Sequence, residues 1–148
     1  MTSTVSTTTR ETFQTVIETF KAEPTLSCLQ RVVKMMYEKA ASESFTVFND
    51  MNADIYSSLM CISKLDPERE PVVDEVVMSM NRYLERDDPS PIVLHNLLRV
   101  TDKLCEATST EELQDIVDLV MDSSFWSVPH VFDETDEDNV EALLAMSD

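Results

Sequence analysis

The chain contains no glycine at all. Average usage of about 7% would place roughly ten glycines in a sequence of this length. Glycine is needed wherever the backbone takes positive φ cheaply or approaches a phosphate closely. Its absence removes the P-loop, the dinucleotide GxGxxG turn, the kinase Gly-rich loop and the GxSxG nucleophile elbow. A regular EF-hand also goes, because its sixth loop position requires glycine. Tight hairpins lose their Asn-Gly and Asp-Gly signals, so the same absence argues against β architecture.

Other scarcities narrow the field. The cysteines number 3, and Cys28, Cys61 and Cys105 form no CxxC pair, which speaks against a disulfide framework and for a reducing compartment. No apolar run approaches the roughly 18 residues of a transmembrane helix. "MTSTVSTTTR" lacks the basic start and apolar centre of a signal peptide. Thr2 occupies the position where N-myristoylation needs glycine, and no CaaX box closes the sequence. The expectation is an intracellular protein, cytoplasmic or nuclear.

What is present reads as helix. At 43% hydrophobic, the 148 residues can form one domain with a core. Apolar residues recur at three- and four-residue spacing almost throughout. A first helix is predicted over 9–21, with Phe13, Val16, Ile17 and Phe20 inward and a Thr8/Glu11 capping box. A second, about 26–41, buries Leu29, Val32, Val33, Met36, Tyr37 and Ala40. A third runs from Ser44 to Lys64, with a break near "NDMN" at 49–52. Pro71 opens a fourth to about Arg86, facing Val73, Val76, Val77, Met80 and Leu84 inward. "DDPSP" at 87–91 reads as a linker, with Ser90 as N-cap and Pro91 as first helical residue. Leu94, Leu97, Leu98, Thr101, Leu104 and Cys105 then share one face. Ser109 and Glu112 form a second capping box ahead of Leu113, Ile116, Val117, Val120 and Met121. The expected architecture is all-α: a compact bundle of about six helices with a short C-terminal helix or acidic tail. The expected division is a Thr/Ser-rich disordered N-terminus at 1–8, a helical domain at 9–132, and an acidic segment with a short amphipathic helix at 133–148.

Candidate chemistry is sparse. His95 and His130 lack ligand-spaced partners and read as structural or surface residues. The three cysteines read as core, as do most methionines (Met35, Met36, Met60, Met78, Met80, Met121). Asp133, Thr135, Glu137 and Asn139 alternate like calcium ligands, yet Asp138 and Leu144 stand where that loop needs glycine and glutamate. The sequence therefore predicts no catalytic residue, no metal and no cofactor.

Charge is the firmer signal. Of 29 acidic and 11 basic residues, 13 acids and no base lie after Lys103. Glu111, Asp115, Asp118 and Asp122 recur at i, i+4, i+7 and i+11, which lines one helix face with carboxylates opposite Ile116, Val117 and Val120. Beyond them, Phe125, Trp126, Val128, Val131 and Phe132 form an apolar cluster beside Asp133, Glu134, Asp136, Glu137 and Asp138. Thr135 is read as the N-cap of a last helix carrying Val140, Leu143 and Leu144 on one side. Two arrangements fit: a helix folded back with the tryptophan sealing the bundle, or an acidic-aromatic peptide that docks in a partner's groove.

The functional expectation is a protein-interaction module that catalyses nothing, a regulator or adaptor of the size of many virus-encoded accessory factors. It would engage a partner with a basic surface or a hydrophobic groove through Glu111, Asp115, Asp118, Asp122, Asp133, Glu134, Asp136, Glu137, Asp138, Val140, Leu143 and Leu144. Nucleic acid is disfavoured because phosphates need a basic patch, and membranes are not expected as partners. The alternatives are a self-assembling subunit of a larger complex, an acidic nucleic-acid mimic, or a hydrolase whose site the sequence hides. Because the six apolar stripes precede Ser123, loss of 133–148 is expected to leave the bundle folded.

Overall fold

The computed structural model describes residues 13–84 and 90–146. Seven α-helices follow in order among them: α1 (Phe13–Ala22), α2 (Leu26–Ser42), α3 (Phe48–Leu65), α4 (Glu70–Leu84), α5 (Pro91–Glu106), α6 (Thr110–Met121) and α7 (Glu137–Met146). Short 3-10 turns cover Pro67–Arg69, Ser123–Trp126 and Glu134–Asp136, and the described residues include no strand. The all-α bundle expected from periodicity is what forms. The disordered segment at 1–8, the Thr8/Glu11 capping box and most of the "DDPSP" linker lie outside the described residues.

Helix α5 is the axle. Every residue from Ile92 to Asp102 is buried, so the helix is covered on all sides and not on one stripe. Helices α2, α3 and α6 pack directly against it, while α1 packs on α2 and α4 bridges α3 and α6. Its start follows the expected chemistry: the Ser90 hydroxyl accepts the Ile92 N–H at 3.1 Å, and Pro91 opens the first turn. Its C-terminal carbonyls are received by an arginine from another element. The Arg69 Nε donates to the Leu104 carbonyl at 2.9 Å, and the same guanidinium reaches the Ala107 carbonyl and Asp66. A cation at a helix C-terminus is favoured both by the orphan carbonyls and by the dipole.

The end of α2 shows how a chain without glycine turns a corner. The Phe45 N–H bonds the Ala40 carbonyl at 2.6 Å and the Ser44 N–H bonds the Ala41 carbonyl at 3.1 Å. This is the paired hydrogen bonding of a Schellman cap, in which the C′ residue takes left-handed φ and is usually glycine. Here Ser44 and Phe45 hold φ of 57° and 59°. Burial of the Phe45 ring offsets the strain: its centroid lies 5.4 Å from that of Tyr37 and 5.4 Å from that of His95. The third helix therefore starts at Phe48 and not at Ser44, and "NDMN" is its first turn instead of a break.

The aromatic segment answers the fold-back alternative. Trp126 is buried, donates its indole N–H to the Val120 carbonyl at 3.0 Å, and stacks on Tyr83 with centroids 4.8 Å apart. Phe125 meets it edge to face. Val128 and Val131 do not join this cluster and stand in solvent, whereas Pro129 and His130 between them turn inward, the latter bonded through its backbone to His95 and Asn96. Met78 and Met121 are likewise exposed where core was expected, whereas Met36, Met51 and Met80 are buried.

The cap at Ser44 gives a direct test. Ser44→Gly removes a Cβ from a left-handed position and should raise stability by about 0.5–1 kcal/mol, after allowing for the extra freedom of glycine in the unfolded chain. Urea titration should show a higher midpoint with an unchanged slope; a lowered midpoint would mean that the cap carries no strain.

Candidate functional site

The acidic residues of the C-terminal third divide into two groups with opposite fates. One group turns inward to a single arginine. Arg99, on the third turn of the buried helix α5, is itself buried. Its guanidinium donates from Nε to Asp136 at 3.1 Å, from one terminal nitrogen to Asp102, and from the other to Asp133 at 2.7 Å. Lys103 adds a looser contact to Asp133 at 3.5 Å, and Lys34 one to Asp102 at 3.6 Å. Burial alone would lower the Arg99 pKa, but the charges of Asp136, Asp102 and Asp133 raise it, so it stays a cation.

A neutral relay continues from this cluster. The His95 Nε2 lies 2.9 Å from the His130 carbonyl, which can only accept, so Nε2 carries the proton of the neutral ring. Its Nδ1 then accepts from the Tyr37 hydroxyl at 3.0 Å. That hydroxyl receives Asn139 Nδ2–H at 3.0 Å and stands 3.3 Å from Asp136. Burial, then the Asp136 charge, pushes the Tyr37 phenol well above its ordinary range. Desolvation pulls the His95 pKa down, against the hydrogen bond to His130. Asn96 completes the set: its amide donates to the carbonyls of Phe125 and Val128 and accepts the His130 N–H at 3.0 Å.

This polar seam fastens residues 125–139 to α5, and its role is structural. Asp136 is 0% exposed and Leu143 2%, while Val140 is also buried. These three were expected to meet a partner, and that expectation is corrected: each is occupied inside the bundle. Asp133 is partly exposed but already paired with Arg99. The segment 133–146 is tied into the bundle, since it supplies two of the three carboxylates that meet Arg99, the third being Asp102 of the same helix. A 3-10 turn over Glu134–Asp136 leads into α7, and the side-chain cap expected at Thr135 falls outside what the structure describes.

The second group faces water. Glu111, Asp115, Asp118 and Asp122 are exposed along α6 and its C-cap, and Glu134, Glu137, Asp138 and Leu144 are exposed beyond it. None of the ion pairs among the described residues involves the four carboxylates of the α6 row. The capping box ahead of them forms in part: the Ser109 hydroxyl accepts the Glu112 N–H at 3.1 Å, while Glu112 reaches back at 3.4 Å to the Thr108 N–H instead of that of Ser109. Asp122 accepts both the backbone and hydroxyl protons of Ser124, and these bonds hold its pKa below the ordinary carboxylate value.

At the foot of this face lies a groove of about 560 Å³ between the end of α5, α6 and the aromatic segment. Ala107, Ile116, Leu119 and Phe132 form its apolar floor and wall, and Glu106, Glu112 and Asp115 its acidic rim. Phe132 stands there because the clasp holds it: its N–H donates to Asp136 at 3.0 Å and its ring lies 5.8 Å from the Arg99 guanidinium carbon.

No family model, curated protein or solved structure matches this chain.

Among the described residues, Cys105 is the one buried cysteine. The buried Cys105 thiol is pushed up to about 12 by burial and then by the Asp102 charge, so it is not a nucleophile near neutral pH. No group of three or more acidic, histidine or cysteine side chains able to hold a metal is found there. No helix there is long and apolar enough to cross a membrane. The sequence reading missed Tyr37, Asn96, Arg99 and Asp102 as a cooperating set. Their signal was the polar run His95, Asn96, Arg99 and Asp102 inside a leucine-rich helix.

Two measurements test the clasp. Arg99→Leu leaves the buried Asp136 without its cation, and Asp102 and Asp133 with only the looser lysine contacts, and should destabilise the fold by about 3–5 kcal/mol in urea titration. His95 gives a pH signature. Its folded pKa lies below the unfolded value near 6.5, so on acidification the unfolded chain takes up a proton that the folded chain refuses. Stability should fall below about pH 6.5 with a His95 contribution of at most about 1.4 kcal/mol per pH unit. His95→Gln should flatten that slope relative to the parent; an unchanged slope would show that His95 titrates freely.

Proposed function

We propose that this chain is a non-catalytic protein-interaction module that captures a basic partner on the face of α6. The observation that carries the reading is the separation of its acids into two sets. Asp102, Asp133 and Asp136 neutralise an internal cation, whereas Glu111, Asp115, Asp118 and Asp122 stand in an exposed row that no ion pair among the described residues engages. Helix energetics account for Glu111 in the first turn and Asp122 at the next cap, but not for Asp115 and Asp118. Like charges at i,i+4 cost a few tenths of a kcal/mol, and acids in the last turn oppose the helix dipole. A field of one sign instead speeds encounter with an oppositely charged partner and rejects like-charged ones. It also opposes nucleic acid and anionic lipid surfaces.

The reading departs from the sequence expectation in one respect. The anchors are not Val140 and Leu143, which hold α7 to the bundle. Contact falls to the α6 face, with Glu134, Glu137, Asp138 and the half-exposed Leu144 at its margin.

Asp122 is left intact in the test because it caps the next turn. The triple variant Glu111→Gln, Asp115→Asn, Asp118→Asn should fold with equal or slightly higher stability. The immobilised parent chain should retain from cell extract at least one protein that about 0.5 M salt releases, since screening at that strength is nearly complete within a few ångströms. The triple variant should fail to retain it. An identical set of proteins on both surfaces would sink the proposal.

A further inference from the structure

We infer that the groove at the foot of α6 receives a basic, amphipathic segment of another protein, with apolar side chains seated between Ile116, Leu119 and Phe132. The inference rests on the proposed interaction function and names the chemistry of its occupant. Two features coincide in the groove. Its volume, about 560 Å³, falls within the range of formed ligand sites, and its floor is apolar. Its rim, by contrast, carries Glu106, Glu112 and Asp115. The single rim cation, Lys103, is engaged by Glu106 at 3.3 Å and Asp133 at 3.5 Å.

Charge decides among occupants. A second copy of this chain would bring a further net charge of −18 against an acidic rim. Anionic lipid and nucleic acid are repelled on the same ground. The chain's own residues 1–12 offer one base, Arg10, against one acid, Glu11, and so gain nothing from the rim. An apolar ligand without charge would fill the floor and leave the rim unmatched. A segment with leucine-like anchors on one side and Lys or Arg on the other satisfies both, in the manner of an amphipathic helix laid in a groove.

The groove wall is also preorganised. Phe132 packs edge to face on His130, with centroids 4.8 Å apart, and its backbone is tied to Asp136. Little ordering cost should remain to be met on binding.

The test uses the isotope-labelled full chain and a synthetic helical peptide of about 18 residues, leucines on one face and lysines on the other. A control peptide carries serine for every leucine at equal charge. The expected result is amide shift changes centred on Ala107, Ile116, Leu119 and Phe132 with the leucine peptide. Affinity should fall roughly tenfold or more in Phe132→Ala and in Asp115→Lys. Asp50→Lys, an equal change of net charge beside the separate methionine groove of Met35, Met36 and Met51, should leave affinity within about twofold. Equal binding of both peptides along Glu111 and Asp118 would overturn the groove and leave the acidic-face reading standing. Shifts centred on Met35, Met36 and Met51 would overturn it by moving the site. Absence of binding by either peptide at about 1 mM would overturn both readings.

Discussion

A single buried guanidinium organises this molecule. Arg99 sits in the one helix that is covered on every side, and an isolated charge there would be untenable. Asp102 from its own helix meets part of that need. The rest comes from Asp133 and Asp136, which lie more than thirty residues further along the chain. The C-terminal segment is therefore required in place for the core to be electrostatically complete. Such a cluster is demanding more than stabilising, because a buried guanidinium needs acceptors for its donors, and here Asp102, Asp133 and Asp136 supply them.

The polar seam beside it works the same way. The Asn96 side chain bonds three backbone groups of the 125–130 turn. His95 and Tyr37 extend the chain of bonds to Asn139 on α7. Among the described residues no buried side-chain nitrogen or oxygen is left without a partner. Low dielectric strengthens such a network when it is whole and penalises it when one member is lost. The aromatic cluster then seals the end of the bundle, with Trp126 bonded back to the carbonyl of Val120.

The clasp and the acidic face are linked through Phe132. The contacts that neutralise Arg99 also set this ring on the wall of the groove below α6. Acids that would crowd the outer surface are drawn in, while those of α6 remain as an uninterrupted field. Interior electrostatics thereby shape an exterior surface of apolar floor and acidic rim, the combination on which the proposed basic, amphipathic partner rests.

Local regularities fixed much of this from the chain alone. Apolar spacing placed six helices, Ser90-Pro91 and Ser109 marked two starts, and the carboxylate period of α6 put Glu111, Asp115, Asp118 and Asp122 on one exposed face. These are properties of three to eleven neighbouring residues, set by helical geometry and by caps. Tertiary packing decided the rest. A one-sided stripe on α5 could not reveal that its other side, with His95, Asn96, Arg99 and Asp102, was also buried. The absence of glycine did not forbid a left-handed cap, because burying Phe45 offsets the strain at Ser44 and Phe45. The acids after Phe132 looked alike in sequence, yet Asp136 is buried and Asp138 exposed. That distinction belongs to the distant arginine, since helical periodicity cannot say which carboxylate a charge more than thirty residues away will claim.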